Sequence, residues 1–162
     1  MDVVTYQPIG IVRSPFTTLE GMPLQTVAAQ GVQGSVELEP SYAAGLKDLA
    51  AFSHLILLTH LHQMSGYSLE VTPYLDDQPH GIFATRSPRR PNPIGLSVVR
   101  LIAIQDATLL IEDVDLLDGT PLLDLKPYVP TFDACETERI GWFAGRIERV
   151  QTTRSDNRFT EG

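Results

Sequence analysis

The feature that most constrains the fold is a series of short apolar runs, each ended by proline, glycine or polar residues. Residues 34–39 alternate apolar and polar side chains, and residues 55–61 are apolar almost throughout. Side chains two apart on a strand point to the same face, so such runs predict strands with one or both faces buried. The predicted strands span residues 8–13, 34–39, 55–61, 81–85, 96–104, 107–115 and 122–128.

Helical signals are fewer. Residues 41–52 are predicted as a helix with Ser41 as N-cap, because apolar side chains recur there at helical spacing. A second helical turn is expected within residues 136–144. Residues 145–150 fit either one more strand or the end of a helix.

These elements predict a mostly β fold, a small antiparallel β-barrel with one or two flanking helices. The chain has 162 residues, 43% of them apolar and 20% charged, which suits one domain with a sizeable core. We expect the barrel domain to span residues 1–150 and a polar, frayed tail to span residues 151–162.

Several features predict a cytoplasmic protein. No apolar stretch reaches the roughly 18 residues needed to span a bilayer, and the first residues lack the pattern of a signal peptide. The single cysteine, Cys135, cannot form an intrachain disulfide and fits a reducing compartment. Its acidic neighbours disfavour a nucleophilic thiolate.

Charge is unevenly distributed along the chain. The net charge of −8 argues against nonspecific coating of nucleic acid. Residues 78–105, however, contain four arginines and no acid, whereas residues 106–125 contain six acids and no base. This segregation predicts a local anion site on an acidic protein. The alternative is that the two sets of charges face solvent on opposite sides of a barrel.

The cationic segment around residues 86–99 is the strongest candidate for a site. It contains Pro88, Pro91 and Pro93, which stiffen the backbone, and Arg86, Arg89 and Arg90. Planar guanidinium groups suit phosphate or carboxylate ligands. A rigid cationic loop between two strands is typical of a binding site. The alternative is a solvated loop whose prolines merely end a strand.

Common cofactor and catalytic motifs are missing. The chain has no Gly-x-Gly-x-x-Gly after a strand, no phosphate loop and no Gly-x-Ser-x-Gly. His60 and His62 would share one face of a strand, but without cysteine or an evident carboxylate partner we expect no metal there. Asp118-Gly119 predicts a tight turn, which alone requires no function.

A longer pattern runs through the segments that end the strands. It comprises residues 9–16 (IGIVRSPF), 49–55 (LAAFSHL), 62–63 (HQ), 81–87 (GIFATRS), 90–95 (RPNPIG), 118–122 (DGTPL) and 124–128 (DLKPY). With these segments the chain resembles the TsaA-like (TrmO) family over residues 6–133. The resemblance implies a small β-barrel methyltransferase that uses S-adenosylmethionine and forms a homodimer. It also implies methylation at N6 of threonylcarbamoyladenosine, next to the tRNA anticodon.

The resemblance further implies which residues bind the donor. By their place in the pattern these are Pro23, Leu24, Gln25, His62, Gln63, Arg86, Leu96, Asp118, Gly119, Thr120 and Pro121. The family often has Pro-Arg-Gln-Pro at the first segment, where this chain has Leu24 and Thr26.

The remaining roles come from the chemistry of the reaction. The spacing of Arg89 and Arg90 suits RNA phosphates, although Arg90 could instead pair with a carboxylate such as Asp124 and only fix its loop. The urea-like nitrogen of the acceptor must lose a proton, for which Asp124, Tyr128 and Asn92 are the candidates. Two other functions stay open: methylation of a non-tRNA or small-molecule acceptor, and donor binding by a noncatalytic sensor.

Overall fold

The computed structural model describes residues 2–159, which form mainly β-strands and short helical turns. The strands are β1 (Gly10–Arg13), β2 (Gln33–Leu38), β3 (His54–His60), β4 (Glu70–Val71), β5 (His80–Gly81), β6 (Ile94–Gln105), β7 (Thr108–Glu112) and β8 (Thr120–Pro127). One α-helix, α1 (Pro130–Asp133), is found in this part of the chain. The 3₁₀ turns are Thr26–Ala28, Pro40–Leu46, Leu49–Ala51, Ile82–Ala84, Gly141–Phe143, Ile147–Gln151 and Asn157–Phe159.

Six strands close into an antiparallel barrel in the order β1-β2-β7-β6-β3-β8, with β8 pairing back onto β1. Closure leaves these strands without free edges. The predicted barrel is confirmed, and its strands were all anticipated to within a few residues. The short strands β4 and β5 pair only with each other, outside the barrel.

The side chains of the barrel strands alternate between the buried interior and the outer surface. On β3, Leu55, Leu57 and Thr59 are fully buried and point inward, whereas the residues between them are partly exposed. The inward side chains of the neighbouring strands complete a single core. Its fully buried members include Val12, Val36, Leu55, Leu57, Val99, Leu109, Val114 and Leu122.

Strand registers define two ends of the barrel. Strands β1, β3 and β7 finish, and β2, β6 and β8 begin, at one end, which we call the site rim. The other end is the far rim. Three connections open at the site rim: residues 14–32, 61–93 and 113–119. The connections over residues 39–53 and 106–107 and the exit from β8 lie at the far rim.

The predicted strand over residues 81–85 is wrong. Only His80–Gly81 is extended, and Ile82–Ala84 forms a 3₁₀ turn. The backbone N–H and the hydroxyl of Thr85 both donate to the carbonyl of Ile82, at 3.1 and 2.9 Å. Ile82 and Thr85 are both buried, so buried side chains recur every three residues, as in a 3₁₀ turn, and not every two residues, as in a strand.

The predicted helix over residues 41–52 is also wrong in type and extent. Pro40–Leu46 is a 3₁₀ helix that begins after Glu39, so Ser41 is not its N-cap. The chain then breaks at Asp48, whose φ of 66° is left-handed, before the short turn Leu49–Ala51. Gly45 and Asp48 both have poor helix propensity, which explains why the apolar spacing did not produce an α-helix.

The C-terminal residues are ordered by hydrogen bonds to the β1–β2 connection. Gly141–Phe143 is a single 3₁₀ turn, and residues 145–150 contain part of the turn Ile147–Gln151 rather than a strand. Ser155 exchanges backbone hydrogen bonds with Gly21 and Met22, at 2.9 and 3.0 Å. The expected fraying is therefore wrong for residues 151–159, while residues 160–162 lie outside the described residues. The domain boundary at residue 150 stays a prediction.

Residues 2–159 contain neither a membrane-spanning helix nor a cluster of metal-binding side chains. No helix there is long and apolar enough to cross a membrane. No group of three or more His, Cys, Asp or Glu side chains there is arranged to hold a metal ion.

Candidate functional site

The site rim gathers most of the predicted site residues. The connection over residues 14–32 carries Pro23, Leu24 and Gln25, that over residues 61–93 carries His62, Gln63, Arg86, Arg89, Arg90 and Asn92, and that over residues 113–119 carries Asp118 and Gly119. Segments distant in sequence thus approach one another because alternate strand ends share one end of the barrel.

Arg86 joins two of these connections. Its Nη1 donates a hydrogen bond to the side-chain oxygen of Gln25, 61 residues earlier in the chain. Gln25 is neutral, so this contact orients the guanidinium without neutralising it. Arg86 is exposed between the buried side chains of Thr85 and Ser87. The result is an oriented, accessible cation suited to a carboxylate or phosphate.

Hydrogen bonds inside the loop hold Arg86 in place. The hydroxyl of Thr85 accepts from the Ser87 N–H at 3.2 Å. Nη1 of Arg90 lies 3.3 Å from the carbonyl oxygens of both Thr85 and Ser87. Arg90 therefore fixes the loop through backbone carbonyls, whereas Asp124 pairs with Lys126 at 2.6 Å.

Asp118 and Gly119 form the predicted turn and tie it to β1. Gly119 has a φ of 76°, a conformation that favours glycine. The Asp118 carboxylate accepts from the Ser14 N–H at 3.2 Å and lies 3.8 Å from the guanidinium of Arg13. The hydroxyl of Thr120 donates to the Leu117 carbonyl at 2.6 Å. These contacts hold the turn at the mouth of the barrel.

Asp115 is a further candidate for the site that the motif reasoning missed. It accepts a 2.6 Å hydrogen bond from the hydroxyl of Ser97 on β6. Burial raises the pKa of the Asp115 carboxyl to about 6, and the Ser97 hydrogen bond and the charge of Arg86 offset part of that rise. A carboxyl with a raised pKa beside an oriented arginine is typical of functional sites. The available signal was a single acid between apolar neighbours, Val114 and Leu116.

His62 lies where β3 leaves the barrel. It is partly buried, and that burial, together with the nearby His60, lowers the pKa of its imidazole below 6.5. A neutral imidazole at neutral pH can both donate and accept a hydrogen bond.

Three predicted residues lie apart from this cluster or face away from it. Tyr128 follows β8 at the far rim, where its N–H donates to the carbonyl of His54, about 26 Å along the strand from Thr120. Asp124 is on the outer face of β8. Leu96, 54% exposed, projects from the outer face of β6. Asn92 is at the site rim, just before β6.

Comparison with known proteins assigns this arrangement to a class. The family model described as the tRNA-methyltransferase O N-terminal domain matches residues 11–134. A crystal structure of TrmO from Pseudomonas aeruginosa superposes with a TM-score of 0.73 at 39% identity, over 87% of this chain and 63% of that one.

Curated relatives agree. A protein of Pyrococcus abyssi named as a probable S-adenosyl-L-methionine-binding protein is 50% identical over 97% of this chain and 85% of its own length. The tRNA (adenine(37)-N6)-methyltransferase of Escherichia coli is 37% identical over 80% of this chain. The chain spans 60% of the length of that enzyme.

Fold and rim together define a small β-barrel of a methyltransferase family. The chain belongs to the tRNA-methyltransferase O family, as the sequence pattern predicted. The family pattern ends at residue 134, and the ordered residues 135–159 follow it.

Proposed function

We propose that this protein is an S-adenosylmethionine-dependent methyltransferase that modifies N6 of threonylcarbamoyladenosine next to the anticodon of tRNA. The observation that carries the proposal is the convergence of Gln25, Arg86, Asp115 and the Asp118–Gly119 turn at one rim of a TrmO-type barrel. The donor would supply an electrophilic methyl group on a sulfonium, so the protein mainly aligns the reactants.

The chemistry of the rim residues fits such a donor. Arg86 offers a cation, held by a neutral partner, for the methionine carboxylate. Asp115 offers a carboxylate for positive charge. The turn at Asp118–Gly119, with Thr120 and Pro121, offers backbone groups for the adenosine part. Pro23, Leu24, His62 and Gln63 complete the proposed donor contacts, whereas Leu96 faces away from them on the outer face of β6.

We propose Asp115 as the proton acceptor. The nitrogen to be methylated is urea-like, so a weak base suffices. Asp115 has a pKa of about 6, is ionised at neutral pH, and lies beside Arg86 at the site rim. Tyr128 and Asp124 are less favourable because of their positions, and Asn92 could orient the acceptor by hydrogen bonding.

Arg89 and Arg90 are proposed to contact tRNA phosphates. Both are in the loop that presents Arg86, and both are only partly buried. If they neutralise phosphates, tRNA affinity falls steeply with salt, and less steeply after their replacement by alanine. Arg100→Ala is the matched control, since Arg100 is an exposed arginine in the middle of β6, outside the loop that presents Arg86. Equal salt slopes in all variants would contradict this assignment.

We further propose a cytoplasmic homodimer. Its support is the apolar outer surface of β6, where Ile94, Leu96 and Ile102 are 46, 54 and 51% exposed. Light scattering should then report twice the chain mass of 17.9 kDa. A monomer at assay concentrations would overturn the dimer.

The direct test is methyl transfer. Protein, labelled donor and tRNA lacking the methyl group should yield labelled N6-methylated threonylcarbamoyladenosine. Label on another acceptor would indicate a methyltransferase of different substrate. The name of the P. abyssi relative favours a second candidate, a noncatalytic donor-binding protein. Tight donor binding without transfer to any RNA pool would support that candidate and overturn the proposed reaction.

A further inference from the structure

Residues 141–159, which we call the strap, contact both connections that supply the Arg86–Gln25 pair. They follow the family pattern, which ends at residue 134. The chain leaves β8 at the far rim, and the strap then lies against the connections of the site rim. Its contacts fall at two places, one beside Arg86 and one beside Gln25.

The first contact is made by Trp142. Its indole Nε1 donates a 2.7 Å hydrogen bond to the carbonyl oxygen of Ala84, two residues before Arg86. Its ring also stacks on His80, with centroids 4.6 Å apart and planes at 16°. Trp142 therefore fixes both the start and the end of the short segment that leads into Arg86.

Charged groups reinforce this contact. The Asp76 carboxylate lies 3.0 Å from Nε2 of His80 and 3.1 Å from the guanidinium of Arg146 in the strap. The hydrogen bond from His80 is the largest cause that lowers the pKa of Asp76, to about 2. Asp76, Arg146, Trp142 and His80 thus form one connected cluster across the boundary between strap and loop.

The second contact is made by Ser155. Besides its backbone hydrogen bonds to Gly21 and Met22, its hydroxyl oxygen accepts from the Met22 N–H at 2.8 Å and donates to the Leu19 carbonyl. Arg154 adds an isolated antiparallel bridge to Pro23. These bonds hold the chain immediately before Gln25.

We propose that the strap positions the donor site, with Trp142 and Ser155 as positioning residues that act through Arg86 and Gln25. This inference rests on the proposed function. The side-chain bond between Arg86 and Gln25 links the two connections, and the strap adds hydrogen bonds to the main chain of each. A donor carboxylate would then meet a guanidinium whose main chain is already fixed.

The test compares Trp142→Phe with the parent chain. The phenyl ring can still stack on His80 but cannot donate to Ala84. We expect the dissociation constant for S-adenosylmethionine, measured by calorimetry, to rise about threefold to tenfold, the scale of one lost hydrogen bond. Phe132→Leu, which changes a 74% exposed aromatic outside the strap, is the matched control and should leave the dissociation constant unchanged.

A double-mutant cycle separates positioning from general stability. Trp142→Phe should have no further effect in an Arg86→Ala background, and Ser155→Ala should have none in a Gln25→Ala background. The inference would be overturned if Trp142→Phe or Ser155→Ala weakened donor binding equally in the parent chain and in the alanine background. It would also be overturned if the folded Trp142→Phe and Ser155→Ala variants bound the donor as tightly as the parent chain. If the parent chain binds S-adenosylmethionine and the variants bind it equally well, this inference alone is wrong. If the parent chain does not bind S-adenosylmethionine, the proposed function is wrong.

Discussion

In the barrel wall, Leu55, Leu57 and Val99 are fully buried by side chains from neighbouring strands. At the site rim, Arg86 and Arg90 of the connections and Ser155 of the strap are held mainly by hydrogen bonds to carbonyl or amide groups. Apolar burial is nondirectional and stabilises the whole domain, while hydrogen bonds fix particular atoms at small net gain. The comparison assigns stability to the wall and positioning to the rim.

The sharpest test of this division is a cavity in the wall. Leu57→Ala removes a fully buried side chain and should lower the free energy of unfolding by about 2–5 kcal/mol, measured by urea denaturation. Donor affinity of the folded fraction should stay within about twofold, because this change spares every rim contact. Loss of affinity without loss of stability would break the division.

Replacing Asp115 should have the opposite effects: a gain in stability and a loss of activity. Its carboxyl has a pKa of about 6 when folded, against 3.8 for the ordinary side chain. The folded state therefore binds the proton more tightly, and the associated stability is present below pH 3.8 and lost as the pH rises through 6. Asp115→Asn should stabilise the protein by up to about 3 kcal/mol at pH 8 relative to its effect at pH 3.5.

The same substitution should nearly abolish methyl transfer if Asp115 accepts the proton. Unfolding curves at the two pH values and a single-turnover assay check both parts. Asp77→Asn, on an exposed acid, is the control and should change neither quantity. A variant that is no more stable at pH 8 yet loses activity would show that Asp115 is not destabilised by burial.

A substitution of Gly119 should affect both stability and donor binding, because this rim residue has a backbone conformation that favours glycine. A side chain at its φ of 76° is strained although a Cβ would meet no atom within 4 Å. Gly119→Ala should cost about 1–2 kcal/mol of stability from backbone strain. Donor affinity should fall as well, since we propose that the turn contacts the donor, and calorimetry with thermal unfolding would measure both. Unchanged affinity would remove this turn from the donor contacts.

The smallest effect is expected for an exposed ion pair on the wall. Arg13 lies 3.1 Å from Glu37, with both side chains nearly half exposed. Glu37→Gln should change the free energy of unfolding by less than about 1 kcal/mol, and salt should reduce that difference further. A larger loss in urea denaturation would mean that the outer surface of the wall also carries stability.

The wall was predictable from sequence because its period-two pattern follows directly from strand geometry. The helix over residues 41–52 and the strand over residues 81–85 failed because short apolar spacings also fit 3₁₀ turns. The left-handed backbone angle of Asp48 interrupts the first segment, and the hydrogen bond from the Thr85 hydroxyl reinforces a 3₁₀ turn in the second.

The site was predictable only in part. The cationic loop with Arg86 and the Asp118–Gly119 turn stood out by composition, and both lie at the site rim. The partnership of Asp115 with Ser97 depends on the register of β6 beside the chain that continues β7, which no local pattern reveals. The contact of Trp142 with Ala84 joins two short 3₁₀ turns whose residues are 58 positions apart, and no local pattern reveals that pairing.

The central claim is that oriented rim residues bind S-adenosylmethionine through Arg86. Calorimetry of the parent chain and of Arg86→Ala, with Arg100→Ala as control, tests it most directly. We predict saturable heat of binding for the parent and the control, and at least about tenfold weaker binding for Arg86→Ala, the scale of a lost charge-assisted hydrogen bond. No heat at near-saturating ligand, or equal affinity in all three proteins, would contradict the account.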